Sequence, residues 1–103
     1  MPTFIILANF TEQGIKTVTQ TTERAKAFEA MAAELGVRLK EIYWTMGRYD
    51  VVAVVEAPDD ETMSAVTLGL GARGNVRTET LRAYSAADME RIFRKMEGGR
   101  RKQ

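Results

Sequence analysis

A tyrosine and an aspartate stand side by side after a glycine in Gly47-Arg48-Tyr49-Asp50. A phenol can donate to a developing oxyanion, and a carboxylate made less polar by burial can accept a proton near neutral pH. Tyr49 and Asp50 are therefore the candidate catalytic pair. The competing reading is structural. Gly47 would supply a positive φ, Tyr49 would pack at the end of a sheet, and Asp50 would accept amide hydrogens from the turn. Turn-closing aspartates are common and no partner base is evident, which favours the structural role.

A second polar cluster, Thr11, Gln13, Gly14 and Lys16, follows the first apolar run. Amide, hydroxyl and ammonium groups beside a glycine can bind a carboxylate or phosphate. The spacing is not that of a phosphate loop, and capping or turn formation explains Thr11 and Gly14 equally well. Arg82 is a further ligand-binding candidate, able to anchor an anion or a neighbouring subunit. Its strand is an expected sheet edge, where arginine and threonine are ordinary residues that discourage aggregation.

The chain contains no histidine and no cysteine. The commonest proton shuttle at neutral pH is missing, thiol chemistry is excluded, and neither imidazole nor thiolate is available for zinc. No metal site and no cofactor are expected. Fifteen basic residues oppose fourteen acidic ones, so no global field marks a nucleic-acid binder. The absence of cysteine fits a reducing cytoplasm. The N-terminal apolar run lacks a basic leader and is too short to span a bilayer. No membrane partner is expected.

These residues need a scaffold, and the pattern supplies one. Thr3 to Phe10 and Val51 to Ala57 are apolar on both faces, the mark of strands buried on both sides. Thr11 to Gly14 breaks the first. A helix capped at Thr21 or Thr22 carries Phe28, Met31, Ala32 and Leu35 at helical spacing, and Gly36 ends it. Val37 to Met46 forms a second strand whose parity changes partway, which requires a bulge near Lys40 or Glu41. Pro58-Asp59-Asp60-Glu61 opens another helix through Met63, Val66 and Leu70. Val76 to Tyr84 alternates as a fourth strand. Ser85-Ala86-Ala87-Asp88 then starts a last helix striped with Met89, Ile92, Phe93 and Met96.

The order βαββαβ predicts an α+β ferredoxin-like plait, a four-stranded antiparallel sheet in the order 4-1-3-2, followed by a C-terminal helix. Residues 1–97 are expected to form one domain, with 98–103 a basic flexible tail. Two helices can cover only one sheet face. An open apolar face of several hundred Å2 is unusual on a monomer, so a homodimer or higher homo-oligomer is expected. The terminal helix is the alternative cover.

Several blocks in register resemble the GYD domain family, named for a glycine, a tyrosine and an aspartate around the central turn. They are Phe10-Thr11-Glu12-Gln13-Gly14-Ile15, Tyr43-Trp44-Thr45-Met46-Gly47 with the turn itself, Glu56 to Glu61, and Gly74 to Ala83. The similarity spans roughly residues 3 to 84. It implies a dimeric α/β-barrel type of ferredoxin-like assembly. It implies no mechanism, because relatives of that fold range from cofactor-independent monooxygenases and lactone isomerases to ligand sensors.

Two functions compete. The first is a small oligomeric module that binds a small molecule or serves a regulatory or assembly role. The second is a cofactor-independent enzyme acting on a small carbonyl or lactone compound through Tyr49 and Asp50. Missing histidine favours the first. Nucleic-acid binding through the sheet is not expected, for want of interleaved aromatic and basic residues on the central strands.

Overall fold

The computed structural model describes residues 1–101; Lys102 and Gln103 of the expected tail lie outside the described residues. Four strands, β1 (Thr3–Phe10), β2 (Arg38–Trp44), β3 (Val51–Glu56) and β4 (Val76–Ala83), alternate with helices. The helices are α1 (Glu12–Lys16), α2 (Thr21–Glu34), α3 (Asp60–Ala72) and α4 (Ala86–Arg101), with a 3-10 turn at Val18–Gln20. All strand pairs are antiparallel and the sheet order is β2-β3-β1-β4. This is the α+β, ferredoxin-like arrangement expected from the pattern, with β1 and β3 central.

Register sorts the side chains. Phe4, Ile6 and Ala8 of β1 pair beside Val55, Ala53 and Val51 of β3. Most of this set is buried beneath Phe28 and Ala32 of α2 and Met63 and Val66 of α3. Fully burying such large side chains stabilises the fold by about 1.5–3 kcal/mol each. The register of β2 shifts between Leu39 and Glu41, so the bulge lies at Lys40. It turns Leu39 and Ile42 together toward the core cluster.

Local chemistry sets the helix ends. Asp59 caps α3, its carboxylate accepting from Thr62 N at 2.7 Å. Ser85 and Asp88 form the reciprocal capping pair at α4, with bonds of 2.9 and 3.1 Å. Gly36 and Gly74 carry φ of 78° and 84°, closing α2 and the α3–β4 turn where a Cβ would be strained.

Two departures have physical causes. The break after β1 contains the short helix α1, capped by Thr11, whose hydroxyl accepts from Gly14 N. The expected threonine cap on α2 does not form. Gln20 occupies the cap position without a side-chain bond, and the Thr21 hydroxyl instead accepts from the Trp44 indole at 3.0 Å. The alternative cover for the open sheet face does not form, since α4 does not lie on it. That helix continues through Gly98 and Gly99 to Arg101 and, among the described residues, packs substantially on no strand or other helix. The molecule consequently measures 56 × 31 × 19 Å, with a radius of gyration of 16.3 Å. A compact chain of this length would have about 13 Å.

Candidate functional site

The turn after β2 is built around Gly47, whose φ is 103°. Thr45 Oγ1 donates to Tyr49 O at 2.7 Å, and Thr45 N donates to Asp50 O at 2.8 Å. Asp50 N then donates to Ala8 O, while its carboxylate Oδ2 accepts from Phe10 N, both at 2.9 Å. Asp50 thus fastens the β3 end to the last residues of β1 through main chain and side chain together.

Tyr49 goes elsewhere. Its hydroxyl donates to Glu79 Oε2 on β4 at 2.9 Å. Since β1 lies between β3 and β4, the ring reaches across it on the face opposite the helices. That hydrogen bond raises the phenol above its ordinary pKa, because the Glu79 carboxylate favours the protonated form; slight desolvation adds to this and the Arg48 charge opposes it. A raised phenol is a weaker acid. Tyr49 and Asp50 are adjacent in sequence but are engaged with separate partners.

The Thr11 cluster sits at the same end of the sheet. Thr11 N donates to Asn75 O at 3.0 Å, and Thr11 Oγ1 donates to Gly74 O. Gln13 Nε2 reaches Arg73 O at 3.1 Å and Asn75 Oδ1 at 3.0 Å. Gly14 is buried, and a Cβ on it would lie 2.0 Å from Asn75 O. Lys16 pairs on the surface with Glu12 at 3.4 Å. Thr11, Gln13 and Gly14 therefore meet as a latch between α1 and the α3–β4 turn. Arg82 lies at the opposite end, its guanidinium over the rings of Phe4 and Tyr84 at 5.6 and 4.6 Å and donating to Thr3 O at 3.2 Å.

Three side-chain partnerships escaped sequence reasoning. Arg24 on α2 donates to Gly14 O at 3.1 Å and to both oxygens of Thr17, tying α2 to α1. Trp44 closes onto Thr21. Glu79 receives Tyr49, and only the alternation of β4 hinted at it, by placing Glu79 on the face opposite Thr78 and Thr80.

Two surfaces stand out for their apolar character. Between α2 and the sheet is an apolar cavity of about 70 Å3, bounded by Phe28, Ile42, Trp44 and Ala53 with Arg24 and Thr21 at its polar side. That space suits a group of only a few heavy atoms. The second surface is the sheet face turned away from the helices. Ile5, Leu7, Val52 and Val54 run along its centre, with Tyr43 and Leu81 flanking them in register. Tyr43 and Leu81 are 56% and 43% exposed. Glu41, Glu79 and an Arg38–Glu56 ion pair at 3.7 Å give the margin charge. Among the described residues no group of three His, Cys, Asp or Glu side chains is placed to hold a metal ion. No described helix is long and apolar enough to cross a membrane.

Residues 4–93 match the GYD domain. The chain belongs to the GYD domain family. A relative from Thermus thermophilus, called "Glutamine synthetase and cystathionine beta-lyase binding protein", is 41% identical over 90 residues, covering 86% of this chain and 95% of the relative. A crystal structure of a Thermus thermophilus protein is similar at 33% identity and a TM-score of 0.54, covering 84% of this chain and 96% of that one. The crystal structure of FFRP-DM1 is similar in fold, with a TM-score of 0.59 at 22% identity over 82% of this GYD chain and 100% of that one.

Proposed function

We propose that this GYD protein is a non-catalytic, self-associating module that binds other proteins, metabolic enzymes among them, and so regulates or assembles them. The observation that carries the reading is the 41% identical relative, matched over nearly its whole length, whose name describes binding to two enzymes. The polar geometry supports it. Asp50, Thr11 and Gln13 spend their hydrogen bonds on backbone and turn groups, which leaves no acid–base pair prepared for chemistry. The apolar cavity is too small to serve as a typical ligand pocket of about 300 Å3 or more.

Self-association follows from the uncovered sheet face. Ile5, Leu7, Val52 and Val54 form a continuous apolar strip with a charged margin, the composition of an interface centre and rim. A second copy meeting it sheet to sheet would bury about 1,200–2,000 Å2 in total, the range of stable interfaces.

The direct test is binding of purified glutamine synthetase and of cystathionine beta-lyase to the immobilised protein. Saturable binding of either at about 10 μM or tighter, a free energy near −7 kcal/mol, supports the reading. Failure of both enzymes to bind at about ten times that concentration would count against these partners. Turnover of a small carbonyl or lactone compound, abolished by Tyr49→Phe, would replace the proposal with the enzymatic alternative.

A further inference from the structure

The cavity between α2 and the sheet has features that packing alone does not account for. Three alanines, Ala8, Ala25 and Ala53, stand on its walls, where a larger side chain would fill the space of about 70 Å3. A void of this kind forfeits contacts on every wall and is destabilising. Phe28, Ile42 and Trp44 supply most of the remaining apolar surface. The Trp44 indole is held in place by its bond to Thr21 Oγ1 at 3.0 Å. Its ring is 41% exposed, which brings this end of the cavity to the surface.

The lining carries one charge. Arg24 is the single ionisable side chain among the residues that bound the cavity, and it is half-buried. Its acceptors are neutral: Thr17 O and Oγ1 for Nη1, and Gly14 O for Nη2. Those bonds occupy at most three of the five N–H groups of a guanidinium. Among the described residues Arg24 enters no ion pair. The carboxylates that adjoin lining residues in sequence are committed elsewhere, Glu23 to Lys26 at 3.6 Å and Asp50 to Phe10 N at 2.9 Å. A half-buried cation with only neutral partners selects an anion over a neutral or positive group. The Thr21 hydroxyl accepts from Trp44 and can still donate its own hydrogen.

Size then limits the anion. The cavity lies far below the roughly 300 Å3 of a pocket for a drug-sized ligand. An apolar cavity of about 150 Å3 takes a benzene ring, so half that space takes an aliphatic group of roughly three or four carbons.

We propose that this cavity binds a short-chain aliphatic monocarboxylate, with the alkyl group between Phe28, Ile42 and Ala53 and the carboxylate at Arg24 and Thr21. The site goes beyond the protein-binding role and does not depend on it.

The chain has one tryptophan, and it lines the cavity, so its fluorescence reports occupancy. Acetate, butanoate, hexanoate and octanoate are titrated into the full chain at constant ionic strength. A saturable change is expected, with a Kd for butanoate of about 10 mM or tighter. Affinity should rise from acetate to butanoate and gain nothing at octanoate. Both 1-butanol and butylammonium should bind at least about tenfold more weakly than butanoate. Arg24→Met should bring acid and alcohol to within roughly twofold of each other, a ratio that a purely structural role for Arg24 would leave unchanged. Ala25→Leu fills the cavity and should weaken butanoate by about tenfold or more, with circular dichroism confirming the fold. Ala53→Val replaces it if that variant does not fold. If neither folds, the chain-length limit and the acid-to-alcohol ratio of the wild type decide. The proposal is overturned by the absence of a saturable signal up to about 100 mM butanoate, or by affinity that climbs steadily to octanoate, as unspecific apolar partition would. Equal binding of butanoate and 1-butanol would overturn it too, as would full affinity in a folded, cavity-filled variant. Enzyme binding is measured separately, so either reading can fail alone.

Discussion

Gly14 and Asp50 show how a residue suited to chemistry can be occupied by construction. Glycine after a strand and beside polar groups was consistent with a ligand loop. Its reason here is proximity: Asn75 O occupies the space where a Cβ would stand, at 2.0 Å. Gly14→Ala should therefore destabilise the protein by about 1–3 kcal/mol, the usual range for overpacking, read from denaturant midpoints. A neutral or stabilising effect would show that the latch can yield. Asp50→Ala should cost about 1–3 kcal/mol by leaving Phe10 N–H without its acceptor, and Asp50→Asn less, since an amide oxygen still accepts. A carboxylate held for catalysis would instead leave stability unchanged or raised when neutralised. Glu79→Gln should lower the Tyr49 ionisation toward the ordinary phenol value, followed by phenolate absorbance in difference spectra against Tyr49→Phe. Tyr43 also titrates high through its bond to Glu41, so that subtraction is needed. None of these partners was legible in the sequence, because Phe10, Glu79 and Asn75 each lie at least thirty residues away from Asp50, Tyr49 and Thr11.

Elements were more legible than contacts. Two strands apolar on both faces had to be central, and β1 and β3 are. A parity change in β2 required a bulge, and the register slips at Lys40. Carboxylates ahead of α3 and the Ser85–Asp88 spacing marked helix starts that form as read. These signals are local, which is why they survive without knowledge of the fold. Thr21 failed as a cap because Trp44, twenty-three residues away, takes its hydroxyl. The helix caps also set an acid limit. Asp59 and Asp88 are held below the ordinary carboxylate range, chiefly by backbone hydrogen bonds from Thr62 and Ser85. A depressed folded-state pKa contributes stability that is present above the unfolded value, near about 4, and is lost as pH falls through the folded one. Melting temperature should accordingly decline as the solution is acidified below about pH 4–5. Asp59→Asn and Asp88→Asn should flatten that decline, and an unchanged acid slope in the double variant would remove the caps from its cause.

At the scale of the molecule, what the monomer leaves unmet is cover for its bare sheet face. Val54 and Val55 are neighbours in sequence, but pleating sends them to opposite faces. Val55 is wholly buried in the helix-covered core, whereas Val54 lies on the uncovered side beside Ile5 and Glu41. A lysine at Val55 would bring an unpaired charge into the core and should abolish cooperative folding. A lysine at Val54 leaves that core intact and charges only the surface a second sheet would meet. Val54→Lys should therefore retain the native circular dichroism spectrum while losing self-association in sedimentation equilibrium. The separation between these adjacent variants carries the argument, since a general loss of hydrophobicity would affect both alike. A wild-type protein that sediments as a folded monomer throughout the micromolar range would defeat the paired-sheet assembly. So would a Val54→Lys protein that associates as tightly as the parent. The apolar strip would then have to be covered by a different partner, and the enzymes that the proposed function invokes would be the first to test against it.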